Sequence, residues 1–206
     1  MNKTSIKKYT EFRKNYTFNY IPLETIEDKI YYNGELVEDE EKKYSDSDTF
    51  INIGYNFKNS LSRTLSNLYP IRFRFRGKWV NSIEGVLQGI KHKDKKTQNL
   101  IFKYSGLDAY HTRGSNTLDF WGETQTLYWQ GKPMKRDSEE YQTFLDELYL
   151  SAIKNPLYKK CLLSTEDKYL LHHIGRENQS ETVLTRFEFE QRLNSLREFI
   201  IKNQPR

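Results

Sequence analysis

The sequence predicts an α+β fold that is mainly helical, with small β-hairpins, and three observations point to it. First, capping signals precede mixed apolar and polar runs. Asp137-Ser138-Glu139-Glu140 opens a run from Tyr141 to Ala152, and Thr185-Arg186-Phe187-Glu188 is a capping box opening a run to about Ile201. Second, Asn33-Gly34 stands between the extended runs Lys29 to Tyr32 and Glu35 to Val37, which is the dipeptide of a tight type I′ hairpin. Third, Ile71, Phe73 and Phe75 alternate with Arg72, Arg74 and Arg76, the period of a strand with one buried face. Gly77-Lys78 is expected to turn that strand toward Trp79 as a second hairpin.

The other elements follow in order. Residues 1–60 are polar and rich in Tyr, and are expected to form an N-terminal extension that carries the Asn-Gly hairpin and packs on the domain. Residues 61–206 are expected to form that domain. Ile83, Val86, Leu87 and Ile90 recur at helical spacing from Ser82 onward. Asn155-Pro156 ends the helix before it and starts a short one through Leu163, since Pro suits the first helical position. No internal repeat or low-complexity linker argues for splitting the chain further.

Composition bounds the function. A chain of 206 residues can bury one sizeable core, and 15% aromatic against 36% hydrophobic residues makes rings its main filling. The single Cys161 cannot form an internal disulfide, and the first 30 residues lack a basic start followed by a continuous apolar run, so the cytoplasm is the expected compartment. No stretch approaches the roughly 18 apolar residues of a membrane span, and no membrane partner is expected. Thirty-three Lys and Arg against 28 Asp and Glu give +5, a charge that draws phosphate-bearing ligands. Phosphate-cradling glycine loops, His-Glu-x-x-His and paired cysteines are all missing, so neither a metal nor a cofactor is expected.

One block could carry chemistry. In Ser82-Ile83-Glu84-Gly85-Val86-Leu87-Gln88-Gly89-Ile90-Lys91, a carboxylate, an amide and an ammonium fall at i, i+4 and i+7 on one helical face. Spacing alone is equally that of a solvated polar stripe.

The block does not stand alone. Ser66-Asn67-Leu68-Tyr69-Pro70, Gly77-Lys78-Trp79 and Ser82-Ile83-Glu84 with Gln88 and Lys91 resemble, in order and spacing, the opening signature of the NADAR (YbiA-like) family. Lys154-Asn155-Pro156-Leu157 and Leu162-Leu163-Ser164-Thr165 resemble its later segments, and the likeness spans about residues 65 to 197. Two departures stand out. Gly85 occupies the place where the family usually has His, and Leu171-His172-His173-Ile174-Gly175-Arg176 replaces an Asp and a Trp-Gly pair.

The resemblance implies a YbiA-like helical domain that cleaves an N-glycosidic bond, because characterised members remove bases or base-like groups from ribose. The substrate implied is a small nucleotide or ADP-ribosyl compound, or ADP-ribosylated nucleic acid. Breaking a ribosyl C–N bond builds positive charge on the sugar, so Glu84 is the expected catalytic carboxylate. Lys91 would clamp a phosphate or attack an opened ribose as an amine, and His173 or His172 would supply the leaving group's proton. Asn67, Gln88, Trp121, Trp129, His172 and Arg176 are the expected substrate contacts. The alternative is a non-catalytic protein that binds or sequesters an ADP-ribose-derived nucleotide. A third reading is a nucleic-acid partner using Arg72, Arg74 and Arg76.

Overall fold

The computed structural model describes residues 3–20, 22–26, 29–38, 47–112 and 121–203. Helix α1 (Lys3–Asn15) leads to an antiparallel sheet of β1 (Glu24–Ile26), β2 (Lys29–Tyr32) and β3 (Glu35–Glu38). Strand β4 (Phe50–Asn52) and helix α2 (Ser60–Leu65) precede a hairpin of β5 (Phe73–Phe75) and β6 (Lys78–Val80). Helices α3 (Ile83–Gly89), α4 (Lys95–Ile101), α5 (Gly106–His111) and α6 (Trp121–Thr124) come next, then a hairpin of β7 (Thr126–Trp129) and β8 (Lys132–Lys135). The chain closes with α7 (Glu139–Ala152), α8 (Pro156–Leu163), β9 (Tyr169–Leu171) and α9 (Arg186–Lys202). The architecture is the α+β, mainly helical one that the sequence predicts.

The helices begin where side chains can satisfy their first N–H groups. Ser82 accepts from the Gly85 amide, Ser138 from Tyr141, and Asn155 from Leu157 and Tyr158. Thr185 and Glu188 complete the capping box of α9. The hairpins turn on left-handed residue pairs. Asn33 and Gly34 have φ of 50° and 78°, as Asn-Gly requires. In the second hairpin the turn falls on Arg76 and Gly77 (φ 42° and 84°), one residue earlier than expected, because Lys78 already pairs with Phe75. Gln130 and Gly131 repeat the conformation between β7 and β8.

The core lies around α7. Tyr141, Phe144, Leu145, Leu148 and Tyr149 meet Ile83, Val86 and Leu87 of α3 and Phe189, Leu193 and Leu196 of α9. Burying each large apolar side chain contributes roughly 1.5–3 kcal/mol. Segments before residue 60 join the same core through Tyr9, Ile51 and Ile53. Strand β4 pairs parallel with β9, matching Phe50, Ile51 and Asn52 with Tyr169, Leu170 and Leu171.

Charges are buried with their partners. Asp146 accepts from Arg13 Nε at 2.6 Å and lies 3.2 Å from Arg192 Nε. Arg136 grips both oxygens of Glu188, and Arg186 Nε donates to Glu190 at 2.7 Å. A buried charge without a counter-charge is costly, so each of these sits against its opposite. Among the described residues, no helix is long and apolar enough to cross a membrane.

Candidate active site

The site is built on α3, a helix buried on every side, as its glycines permit. A Cβ on Gly89 would stand 2.5 Å from the Phe102 ring, and one on Gly85 would stand 3.2 Å from the Ile101 carbonyl oxygen. The Ser82 hydroxyl and the Ile101 carbonyl therefore crowd any side chain at position 85. The polar stripe of α3 is thereby drawn inside. Glu84, Gln88 and Lys91 are 9%, 4% and 8% exposed, which is not the face of a solvated helix.

These three side chains form a row. Gln88 Nε2 donates to Glu84 Oε1 at 2.6 Å, and Lys91 Nζ donates to Gln88 Oε1 at 2.8 Å. The amide thus passes charge complementarity from ammonium to carboxylate and satisfies both in a setting of low dielectric. Lys91 Nζ also lies 5.5 Å from the centroid of the Trp121 ring, a cation–π distance. Asn67 holds the near end: its carbonyl accepts from the Glu84 amide at 3.0 Å, and its Oδ1 accepts from the Tyr149 hydroxyl at 2.8 Å. Burial pushes the Tyr149 hydroxyl well above its ordinary pKa, and the Glu84 charge acts in the same direction. Tyr149 is therefore a fixed neutral donor.

The structure thus brings Glu84, Gln88, Lys91, Trp121 and Asn67 together. His172 and His173 stand at the β4–β9 pair. Asn52 Nδ2 donates to His173 Nδ1 at 2.7 Å, which leaves the ring hydrogen of the neutral imidazole on Nε2, and Phe57 stacks on the ring at 5.9 Å. His172 Nδ1 donates to the Ile53 carbonyl at 2.8 Å, and its ring meets Phe189 edge-on. Burial lowers its pKa from 6.5 to about 4, the nearby His173 and Arg186 reinforcing that and the Ile53 bond opposing it. At neutral pH it carries no charge.

The other two expected contacts have partners of their own. Trp129 is half-buried in a ring cluster, 5.0 Å from Phe75, 5.3 Å from Phe102 and 5.6 Å from Phe144. Arg176 is exposed and lies 3.9 Å from Glu181. Sequence reasoning passed over four polar or aromatic neighbours: Tyr149, Asn52, Phe57 and the buried His92, whose carbonyl accepts from Gln98 Nε2. His92 alone had a visible signal, its place directly after Lys91.

The fold and site define a mainly helical α+β domain whose third helix carries a buried carboxylate–amide–ammonium row. Residues 59–198 match the family model described as bacteriophage protein GP30.3, and the chain belongs to that family, a NADAR-type domain. The fold is similar to the NMR structure of the E. coli protein YbiA, with a TM-score of 0.51 and 18% sequence identity over 79% of this chain and 92% of that one. No curated protein matches the sequence.

Proposed function

We propose that the protein is an N-glycosidase that cleaves the N-glycosidic bond of an ADP-ribose-derived nucleotide or a ribosylated base. The observation that carries this reading is the buried row from Glu84 through Gln88 to Lys91. In the reaction, the C1′–N bond breaks with its electron pair going to the base nitrogen, and the ribose becomes oxocarbenium-like. Glu84 stabilises that charge, and takes a proton from the water that attacks C1′. His173 donates a hydrogen bond from Nε2 to the leaving nitrogen, and the proton that Glu84 removes from water passes to that nitrogen as the base departs. Gln88 holds Glu84 in one rotamer, Lys91 meets a phosphate, and Trp121 offers a flat face beside it. Asn67 fixes the start of α3, and Arg176 reaches the phosphates from the exposed rim. Work in the cytoplasm fits a chain with one thiol.

The test is incubation with ADP-ribosylated guanosine and ADP-ribose-derived nucleotides, reading released base by chromatography. Glu84→Gln is expected to slow release about 100-fold or more while leaving the melting curve in place. An unchanged rate in that variant sinks the assignment of Glu84. Borohydride trapping distinguishes the roles of Lys91, since only an imine becomes a permanent adduct. A second reading, a protein that sequesters such nucleotides, is favoured by the uncharged His172, whose Nδ1 is engaged by Ile53. Ligand recovered intact after denaturation supports it.

A further inference from the structure

The β5–β6 hairpin presents a second surface, which the glycosidase reading does not use. Its register sends Phe73, Phe75 and Val80 into the core and leaves Arg72, Arg74 and Trp79 outside, Arg74 and Trp79 being cross-strand partners. Trp79 is 58% exposed, and the Arg72 guanidinium lies 4.7 Å from its ring centroid. Beside the hairpin, a cleft of about 450 Å³ is lined by Arg74, Arg76, Gly77, Glu147, Ser151 and Lys154.

The charge in this cleft is unequal. Arg76 Nε donates to Glu147 at 2.8 Å, so the one acid is already matched. Among the described residues, Arg74 and Lys154 have no ion-pair partner, and both are exposed. Asn155 Nδ2 donates to the Arg72 carbonyl at 3.3 Å, fastening the turn between α7 and α8 to the hairpin. Beyond that turn, α8 adds exposed Lys159 and Lys160, which line a second, shallower cleft. A basic strip therefore runs from the hairpin onto α8, with an open indole at its start.

We infer that this strip docks single-stranded nucleic acid. Arg74 and Lys154 take successive phosphates, and an unpaired base stacks on Trp79 beside Arg72. A bare phosphate would not need the indole, and a duplex keeps its bases from stacking on it. Single strands offer both a row of negative charge and free π-faces. The inference does not depend on Glu84, and the two proposals can fail separately.

The experiment uses the full chain and a fluorescein-labelled mixed-pyrimidine DNA strand of about a dozen nucleotides, followed by anisotropy. Binding is expected at about 50 mM salt, and log K is expected to fall with log salt by about 0.7 for each phosphate engaged. Arg74→Ala and Lys154→Ala should each make that slope shallower by about 0.7. Trp79→Ala should weaken binding about tenfold, with the far-UV circular dichroism unchanged because the ring is exposed. Absence of binding at low salt overturns the inference. So does binding that Trp79→Ala leaves untouched and that a sulfated polysaccharide or a duplex of equal charge matches, which describes a non-selective basic surface.

Discussion

His172 offers a measurable link between burial and pH. Its imidazole lies against Phe189, donates to the Ile53 carbonyl and is held neutral, with a pKa lowered from 6.5 to about 4. The unfolded chain takes up a proton at this residue near pH 6.5, whereas the folded chain refuses it until about pH 4. Stability is therefore fully present above the unfolded pKa and is withdrawn as pH falls through that window. One pKa unit is worth about 1.4 kcal/mol, so the full interval withdraws about 3 kcal/mol. The control is His172→Asn, whose amide can still donate to Ile53 but does not titrate. Urea unfolding of both proteins between about pH 7.5 and pH 4.5 is the assay. The wild-type protein should lose about 2–3 kcal/mol more than the variant across that range. Parallel curves, or a ring C2 proton that titrates near pH 6.5, would refute the burial argument.

Three further perturbations follow from the packing. Asp146→Ala strips Arg13 and Arg192 of their buried counter-charge and should cost about 3–5 kcal/mol in chemical unfolding, with Asp146→Asn costing less. Gly89→Ala drives a methyl to 2.5 Å from the Phe102 ring. It should destabilise the fold by about 1–3 kcal/mol despite the better helix propensity of Ala, and Phe102→Leu should restore much of the loss in thermal melts. Thr185→Ala removes half of the capping box that opens α9 and should cost about 1 kcal/mol by urea midpoint.

Local signals were legible in the sequence and distant ones were not. Ser138 and Thr185 announced their helices because a cap acts within three residues, Ile83 to Ile90 announced theirs by apolar spacing and Pro156 by its fixed φ, and Asn33-Gly34 announced its turn locally too. Helix α1 gave no such notice: its sequence is mostly polar, and it is held by Tyr9 and Arg13 meeting residues on α7 and α9. The three-residue β4–β9 pair is likewise a long-range contact between short runs. Gln130-Gly131 turns a hairpin without the usual Asn or Asp in its first position. At the site, spacing gave the order of Glu84, Gln88 and Lys91 but not their burial. That depends on Gly85 and Gly89 admitting the chain at Ile101 and Phe102. The charges of α9 are matched by Arg136, Tyr169 and Gln142, which come from segments far away in the chain.

The contact between the first and last helices has a consequence for synthesis. The Tyr9 hydroxyl donates to the Arg192 carbonyl, 183 positions away, and cannot do so until α9 has left the ribosome. At roughly 5–20 residues per second, α1 waits on the order of ten to forty seconds with its docking ring uncovered. During that interval the nascent helix is a target for chaperones and proteases, and the emergence of α9 sets the moment at which the core can close.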